Sequence, residues 1–199
     1  MSVPGESAQL LMAPEIRTRA LKKLGISKRI TKNAAIMMLL YPKNDDATLA
    51  LIERPIYKGV HSGQIALPGG KTEPFDQDYK ETALRETWEE IGVPSEDVNV
   101  LKLLTKTFIP PSNYWVHPYL GYCDSRPEFI KQDDEVANII EIPISSLLNE
   151  KNVVSKKLTT SYATDIDVPA FELNGYIVWG ATAMMLNELK VFLSQLIAG

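Results

Sequence analysis

Three glutamates stand close together in the stretch GGKTEPFDQDYKETALRETWEEIGV, residues 69–93. On an α-helix, Glu86, Glu89 and Glu90 fall within roughly 100° of arc, and like charges at this spacing repel one another by about 0.2–0.5 kcal/mol per pair. A bound cation would offset that repulsion. Carboxylates are hard oxygen ligands, which suit Mg²⁺ or Mn²⁺ rather than zinc. The spacing therefore indicates a metal site, and a solvated acidic helix face is the alternative.

The neighbours of the three glutamates favour the metal site. Gly69 and Gly70 are predicted to form a loop one helix length before the cluster, and its backbone carbonyls are free to point inward. Arg85 stands among the acids, where it can orient Glu89 or an acid elsewhere. Because Mg²⁺ retains waters and shares its shell with substrate phosphates, the expected chemistry is attack of a metal-activated water on phosphorus.

A helix must carry this cluster, and the sequence marks both of its ends. Asp78 suits the N-cap position, and Glu81, three residues later, completes a capping box. Gly92 suits the position just after the helix, and Pro94 blocks its continuation. The helix is therefore predicted to lie between Asp78 and Gly92.

The same helix has an apolar stripe. Leu84, Trp88 and Ile91 lie three or four positions apart and are predicted to face the core. The three glutamates would then lie on the far side of that stripe. Trp179 is likewise interpreted as a core residue.

The rest of the chain alternates short apolar runs with turn residues. An N-terminal helix is predicted over residues 8–24, and a closing helix over residues 178–198. The segments between them are predicted as a hairpin of 33–41 and 48–54, strands at 63–68, 98–108, 115–123 and 135–143, a loop at 109–114, a short helix at 142–150, and a second sheet element from 153–160 and 174–178. This irregular alternation favours an α/β domain with a mixed sheet between helices, over residues 31–199, preceded by a helical extension over residues 1–30.

Composition excludes several classes of protein. The chain has 199 residues, 21 Lys and Arg against 25 Asp and Glu, and a net charge of −4, which argues against a nucleic-acid partner held by bulk charge. A single cysteine, Cys123, permits no internal disulfide and fits a reducing, cytoplasmic setting; it is interpreted as a packed thiol. The longest apolar run, residues 34–41, is too short to span a membrane, and the N-terminus is not that of a signal peptide.

The acidic cluster carries a family resemblance. RETWEEIGV, with PGG upstream, resembles the Nudix box, G-x5-E-x7-R-E-U-x-E-E-x-G-U, in which U is a bulky aliphatic residue. The matching residues are Arg85, Glu86, Glu89, Glu90, Gly92 and Val93. Thr87 replaces one aliphatic residue, and strict counting puts Gln77 and Lys71 at the first Glu and Gly. A one-residue insertion would give those two roles to Asp76 and Gly70.

A second segment resembles one subgroup of that family. LIERPIYKGVHSGQIALPGG is similar to the segment of coenzyme A diphosphatases in which L-L-T-x-R leads to H-x-G-Q and F-P-G-G. The matching residues are Arg54, His61, Gly63, Gln64, Pro68, Gly69 and Gly70. Leu67 replaces the usual Phe, and Gly59 replaces a common Arg, for which the adjacent Lys58 can substitute. The resemblance covers residues 33–190.

The resemblance implies the Nudix fold, an α/β/α sandwich, and a role for each matching residue. Mg²⁺ or Mn²⁺ would be bound by Glu86, Glu89, Glu90 and the carbonyl of Gly70. Glu89 and Glu86 would act in catalysis, Glu89 also by positioning the attacking water, and Arg85 would orient them. The substrate would be bound by Arg54, Lys58, His61, Gln64 and Lys71.

Several other polar residues have two interpretations. Glu135 either completes the metal site or is solvated beside Asp133 and Asp134. His61 either holds its loop or donates to a phosphate, whereas His117 is interpreted as structural. The residues expected to line a substrate cleft are Ser112, Asn113 and Tyr114.

Three functions follow from this interpretation. The first is a Mg²⁺- or Mn²⁺-dependent diphosphatase of coenzyme A or acyl-coenzyme A. The second is a Nudix hydrolase of another nucleotide, namely ADP-ribose, NADH, a dinucleoside polyphosphate or capped RNA. The third is a nucleotide sensor without turnover, although the intact acidic cluster argues against it. The expected partner is a small nucleotide, with no membrane, and the sequence leaves a homodimer open.

Overall fold

The computed structural model describes residues 2–14, 31–57, 62–159 and 164–198. Its helices and strands, in chain order, are α1 (Glu6–Leu10), β1 (Lys32–Lys43), β2 (Asp46–Glu53), β3 (Ile65–Ala66), β4 (Gly69–Lys71), α2 (Tyr79–Ile91), β5 (Asn99–Leu103), β6 (Thr107–Ile109), β7 (Tyr114–Tyr122), β8 (Asn138–Pro143), α3 (Ile144–Leu148), β9 (Val153–Leu158), β10 (Ile166–Leu173), β11 (Tyr176–Trp179) and α4 (Gly180–Ala198). The described residues therefore form an α/β protein, as predicted.

The larger sheet is mixed. Its described strands run in the order β3-β2-β1-β7-β5, with β4 beside β1, β6 beside β7 and β8 beside β2. β1 and β7 pair in parallel, whereas β1 pairs with β2 and β4 in antiparallel fashion. The predicted hairpin of β1 and β2 and the predicted mixed sheet are both confirmed.

β1 lies inside the protein because both faces of the sheet are covered. Six consecutive residues, 34–39, are buried, as expected for a strand between two layers. Alternate side chains of β1 enter different core clusters: Ile36 and Met38 join the one that contains Leu189 of α4, and Met37 joins the one that contains Ile91 of α2. The sheet is thus packed between helices, and the α/β/α arrangement is confirmed.

Two strand predictions need correction. The predicted strand over residues 98–108 is interrupted, because β5 ends at Leu103 and β6 begins at Thr107. The predicted second sheet exists, but its central strand is β10, which the sequence analysis missed; it pairs with β9 on one side and β11 on the other. The closing helix, α4, is confirmed.

The N-terminal segment is attached to the closing helix through a buried carboxylate. Glu188 of α4 has no exposed surface and accepts hydrogen bonds from the Gly5 N–H (3.1 Å), Gln9 Nε2 (2.8 Å) and Thr105 Oγ1 (2.5 Å). Several donors satisfy this charge, as a buried carboxylate requires. Of the helix predicted over residues 8–24, the described part is helical only as far as Leu10, and residues 15–24 lie outside the described residues.

In the part of the chain that the structure describes, no helix is long and apolar enough to cross a membrane.

Candidate active site

The ends of α2 are as predicted from the sequence. The Asp78 carboxylate accepts a hydrogen bond from the Glu81 N–H (2.8 Å), and the Glu81 carboxylate accepts one from the Gln77 N–H (2.5 Å). Gly92 ends the helix at φ 74°, and its N–H donates to the Trp88 carbonyl (2.8 Å). These local bonds fix where the acidic cluster begins and ends along the chain.

The predicted core-facing stripe of α2 is confirmed for Ile91, which is fully buried, and for Leu84, which packs against the same core cluster, but it is wrong for Trp88. Trp88 is 57% exposed, whereas Glu86 and Glu90 are 8% and 1% exposed. The buried face instead includes Ala83 and Thr87, whose hydroxyl donates to the Ala83 carbonyl (2.6 Å). α2 packs on β1 and β4, and Glu90 and Glu86 lie against Gly69 and Gly70 of β4. Two of the three glutamates therefore face inward, and only Glu89 lies on a solvated face.

Glu90 is the most deeply buried of the three acids. Its Oε2 accepts a hydrogen bond from the Gly69 N–H (2.7 Å), and its Oε1 lies 3.8 Å from Arg54 Nη2. Burial raises the pKa of Glu90 to about 8, although these two partners oppose the shift. Burial also raises the pKa of Glu86, against the effect of Arg85. A cation near these carboxylates would remove the cost of holding them charged.

Arg85 organises the acids around it. Its Nε and Nη2 donate to the two carboxylate oxygens of Asp76 (2.9 and 3.0 Å), and its Nη1 donates to Glu86 (2.9 Å) and Glu89 (2.7 Å). The hydrogen bonds from Arg85 hold the pKa of Asp76 at about 2. Asp76, rather than Gln77, therefore pairs with Arg85, as the predicted insertion implies.

The glycines before α2 do not form a free loop as predicted, because Gly69–Lys71 is the short strand β4, paired with β1. In an antiparallel pair, alternate residues direct both backbone groups towards the partner strand. The bonds from Met37 N to the Pro68 carbonyl and from Thr72 N to that of Asn33 place Gly70 among the residues that face β1. Gly69 faces the other way, towards Glu90.

Neither glycine has room for a side chain. Gly69 has φ 147°, and a Cβ there would lie 2.3 Å from the Ala35 carbonyl oxygen. A Cβ on Gly70 would lie 2.4 Å from Glu86 Oε2. The close approach of β4 to β1 therefore depends on glycine at position 69, whereas a side chain at position 70 would displace the carboxylate of Glu86.

We expect Gly69→Ala to lower the free energy of unfolding by about 3 kcal/mol or more, because it combines backbone strain with a clash against the backbone of β1. Gly175→Ala is the matched control: Gly175 also has positive φ, 84°, but a Cβ there meets nothing within 4 Å. The control should lose only about 1 kcal/mol. Urea denaturation measures both, and equal losses would contradict the close contact at Gly69.

A cavity of about 570 Å³ opens beside the acidic cluster. Its lining includes all three glutamates and Arg85, the predicted substrate residues Arg54 and Lys71, and residues that the sequence analysis did not assign to the site: Pro55, Tyr57, Glu73, Phe75 and Asp134. Glu135 also lines it, and its charge adds to burial, the main cause, in raising the pKa of both Glu86 and Glu90. Glu135 therefore lies at the site, as one of its two interpretations requires.

A second cavity, of about 820 Å³, adjoins the first. Gln64, Ser112 and Tyr114 line it, whereas Asn113, predicted with them, lines neither cavity. Trp179 also lines it, and is half-buried rather than the core residue predicted. The two cavities share Arg54, Tyr57, Gly69, Gly70 and Lys71. Most of the second cavity is lined by apolar side chains, in contrast to the acidic first cavity.

Some predicted residues lie elsewhere. Lys58 and His61 fall outside the described residues, so their substrate contacts remain predictions. His117 stacks on Tyr79 with ring centroids 3.8 Å apart, which confirms a structural role. Cys123 is buried, and burial raises the pKa of its thiol to about 11, as expected for a packed thiol.

The donors at the acidic cavity fit a divalent cation in their chemistry. Carboxylates and backbone oxygens are the ligands that Mg²⁺ and Mn²⁺ prefer. Burial disfavours the charged form of Glu90, and a nearby cation would favour it. Among the described residues, however, no three His, Cys, Asp or Glu side chains converge closely enough to hold a metal as they stand. In this arrangement Arg85 Nη1 donates to one carboxylate oxygen of Glu86 and to one of Glu89.

Comparison with known proteins gives concordant results. The model of the NUDIX domain family matches residues 31–162. A relative from Yersinia pestis (strain Pestoides F), described as "Uncharacterized Nudix hydrolase NudL", is 31% identical over 166 residues, which span 80% of this chain and 79% of the relative.

Solved structures show the same fold at low sequence identity. The Nudix hydrolase RenU from M. smegmatis has a TM-score of 0.59 at 15% identity and covers 83% of this chain and 87% of its own. The C. elegans Ap4A hydrolase in a binary complex has a TM-score of 0.55 at 14% identity, covering 82% of this chain and 98% of its own.

Proposed function

Since the chain belongs to the Nudix hydrolase family, and so acts on the diphosphate of a nucleoside diphosphate derivative, we propose that its substrate is coenzyme A or an acyl-coenzyme A. Water would attack one phosphorus of the diphosphate and displace the other phosphate. The products would be 4′-phosphopantetheine, or its acyl derivative, and adenosine 3′,5′-bisphosphate.

The pair of adjoining cavities supports this substrate most strongly. The charged residues Arg54 and Lys71 lie on the edge that the acidic and apolar cavities share, where a diphosphate would find cations. A substrate with its diphosphate at this edge can place an apolar group in one cavity. Coenzyme A has this form, because its diphosphate joins a nucleotide to the uncharged pantetheine arm, which carries methyl and methylene groups between its amides and can end in an apolar acyl chain. ADP-ribose, NADH and dinucleoside polyphosphates carry polar groups on both sides.

Nudix hydrolases generally need a divalent cation, and the proposed metal here is Mg²⁺ or Mn²⁺. When bound, it would supply a nucleophilic water at neutral pH and stabilise negative charge on the diphosphate. Glu86 and Glu90 would hold it from the buried face of α2. The Gly70 carbonyl was predicted as a further ligand, but strand alternation directs it towards β1, so we propose the carbonyl of Gly69, which faces the side of Glu90, in its place.

The remaining residues of the site would position these groups. Glu89 is the most exposed of the three acids and its carboxylate is bonded to Arg85, so it can turn towards the attacking water with little cost in packing. Arg85 would keep Glu86 and Glu89 near the cavity, while Asp76 holds Arg85 in place. Arg54 and Lys71 would bind the phosphates, and Gln64 lines the apolar cavity beside them.

A substrate panel tests this proposal. Coenzyme A, acetyl-coenzyme A, ADP-ribose, NADH and a dinucleoside polyphosphate are each incubated with Mg²⁺, Mn²⁺ or chelator, and the products are identified by mass. We expect metal-dependent release of phosphopantetheine or its acyl form. Hydrolysis of another substrate of the panel, without hydrolysis of coenzyme A, would agree with the proposed catalytic role of α2 but would reject coenzyme A as the substrate. Nucleotide binding without any hydrolysis would favour a sensor.

A further inference from the structure

One wall of the apolar cavity lies outside the residues that the family model matches. The family match ends at residue 162, whereas Trp179, Ala181, Thr182 and Met185 line the cavity from the end of β11 and the start of α4. Pro14, which follows α1, also lines it. The family domain alone therefore does not enclose this cavity, and the segment after it supplies the missing side.

This wall is held firmly against the rest of the site. The Thr182 hydroxyl donates to the Ile65 carbonyl of β3 (3.1 Å), which ties the start of α4 to the larger sheet. Met185 is 4% exposed and belongs to the same core cluster as Ile36 and Leu67, which line the cavity from the sheet side. The cavity is thus bounded by packed side chains of fixed position, as a preformed binding site requires.

The charged residues that line the apolar cavity lie at one end of it. Among its described lining residues, the charged ones are Arg54 and Lys71, both on the edge shared with the acidic cavity. Away from that edge the lining is made of apolar side chains and uncharged polar ones, such as Ser112 and Thr182. A ligand would therefore be bound with its anionic part at the edge and an apolar part against α4.

We propose that the wall formed by Trp179, Ala181, Thr182 and Met185 binds the acyl chain of an acyl-coenzyme A, so that the enzyme prefers acylated over free coenzyme A. This proposal rests on the coenzyme A function proposed above. Burying each methylene of the chain should improve binding by about fourfold until the cavity is full. Because the acyl chain takes no part in the reaction, we expect it to be bound equally in the ground state and the transition state, so the effect should appear in KM and not in kcat.

A chain-length series tests the proposal with a matched pair of variants. Free coenzyme A and its acetyl, butyryl, hexanoyl and octanoyl esters are assayed with the wild type, with Ala181→Phe, which fills the cavity at the start of α4, and with Ala47→Phe. Ala47 is exposed on β2 and lines neither cavity. The melting temperature of each variant is measured, and Ala181→Leu, a smaller filling, replaces Ala181→Phe if that variant fails to fold.

The expected result is a fall in KM with chain length in the wild type and in Ala47→Phe. In Ala181→Phe the dependence on chain length should be lost. Dissociation constants of the same esters in chelator should follow the same pattern. Hydrolysis of free coenzyme A with no dependence on chain length, or equal dependence in both variants, would overturn the acyl-chain assignment alone. Absence of hydrolysis and of binding for coenzyme A and every ester would overturn the proposed function, and this assignment with it.

Discussion

Replacing Glu90 with glutamine is expected to lower kcat by about 100-fold or more while the fold survives. The variant keeps an oxygen that can accept the Gly69 N–H bond, so the contact between α2 and β4 is preserved. It removes a negative charge from the proposed metal site, and metal charge contributes several kcal/mol to such reactions, with about 1.4 kcal/mol per factor of ten in rate. Initial rates with the best substrate of the panel, at saturating Mg²⁺ or Mn²⁺, measure the effect.

The matched control for this variant is Glu128→Gln, which neutralises an exposed glutamate that lines neither cavity. Its turnover should equal that of the wild type. Wild-type turnover in Glu90→Gln would reject Glu90 as a metal ligand. Near-ultraviolet circular dichroism of both variants should be unchanged, which separates a lost ligand from a lost fold.

The same variant should also change how stability depends on pH in chelator. Burial raises the pKa of Glu90 from 4.5 to about 8 in the folded protein, so folding favours its protonated form. The resulting stabilisation is complete below about pH 4.5 and is lost as the pH rises through 8. The metal-free wild type should therefore lose stability relative to Glu90→Gln across this range, on the order of a few kcal/mol. Parallel stability curves for the two proteins would contradict the burial of a charged Glu90.

The second large effect is expected from Arg85→Ala, which should lower the free energy of unfolding by about 3–5 kcal/mol at pH 7. The side chain of Asp76 is 3% exposed, and losing Arg85 leaves its carboxylate in a buried position without a cation. Glu86 and Glu89 lose their shared partner as well, so activity should fall with stability. Urea denaturation and initial rates measure the two effects.

Arg85→Lys and the double variant Arg85→Ala/Asp76→Asn identify the cause. Lysine keeps the charge but cannot reach both oxygens of Asp76 and Glu89 at once, so it should restore only part of the stability. The double variant removes the unpaired charge and should be more stable than Arg85→Ala, with activity still low. A loss below 1 kcal/mol in Arg85→Ala would show that the pair is worth no more than a surface ion pair.

Acid stability gives an independent check of the Arg85–Asp76 pair. Because the pKa of Asp76 is lowered from 3.8 to about 2, the pair stabilises the fold above about pH 4, and this stabilisation is lost as the pH falls through 2. The wild type should therefore be more stable than Asp76→Asn near pH 5, and the difference should shrink towards pH 2. Urea midpoints across this range measure it, and a constant difference would contradict the lowered pKa.

The sequence predicted the ends of α2 but not its orientation. The caps depend on residues three or four apart, such as Asp78 and Glu81, so local chemistry determines them. The orientation depends on what the helix packs against. The hydrophobic stripe buries Ile91, but α2 is turned so that Trp88 lies on the exposed side, and Glu86 and Glu90 take buried positions beside β4.

Other features could not be predicted because they depend on distant segments. β10 contains Pro169, which cannot donate to a neighbouring strand, so its sequence argues against the central strand that it forms. The apolar cavity brings together residues as far apart as Ala34 and Met185, and no local periodicity relates them. The motif, counted strictly, puts Gln77 rather than Asp76 at the position of its first Glu. The folded loop shows that Asp76 is the residue that pairs with Arg85.

The position of Glu188 near the end of the chain affects the order in which the protein folds during synthesis. Gln9 binds a carboxylate that lies 179 residues later, so during synthesis this contact of the first helix cannot form until α4 has left the ribosome, although its bonds to Thr105 and Thr107 can form earlier. Such long-range contacts form late and slow folding. Because Pro14 and α4 both line the apolar cavity, the pocket proposed for the acyl chain would be completed last. A nascent chain could thus carry a folded α2, with the acidic cluster, before the pocket proposed for the acyl chain exists.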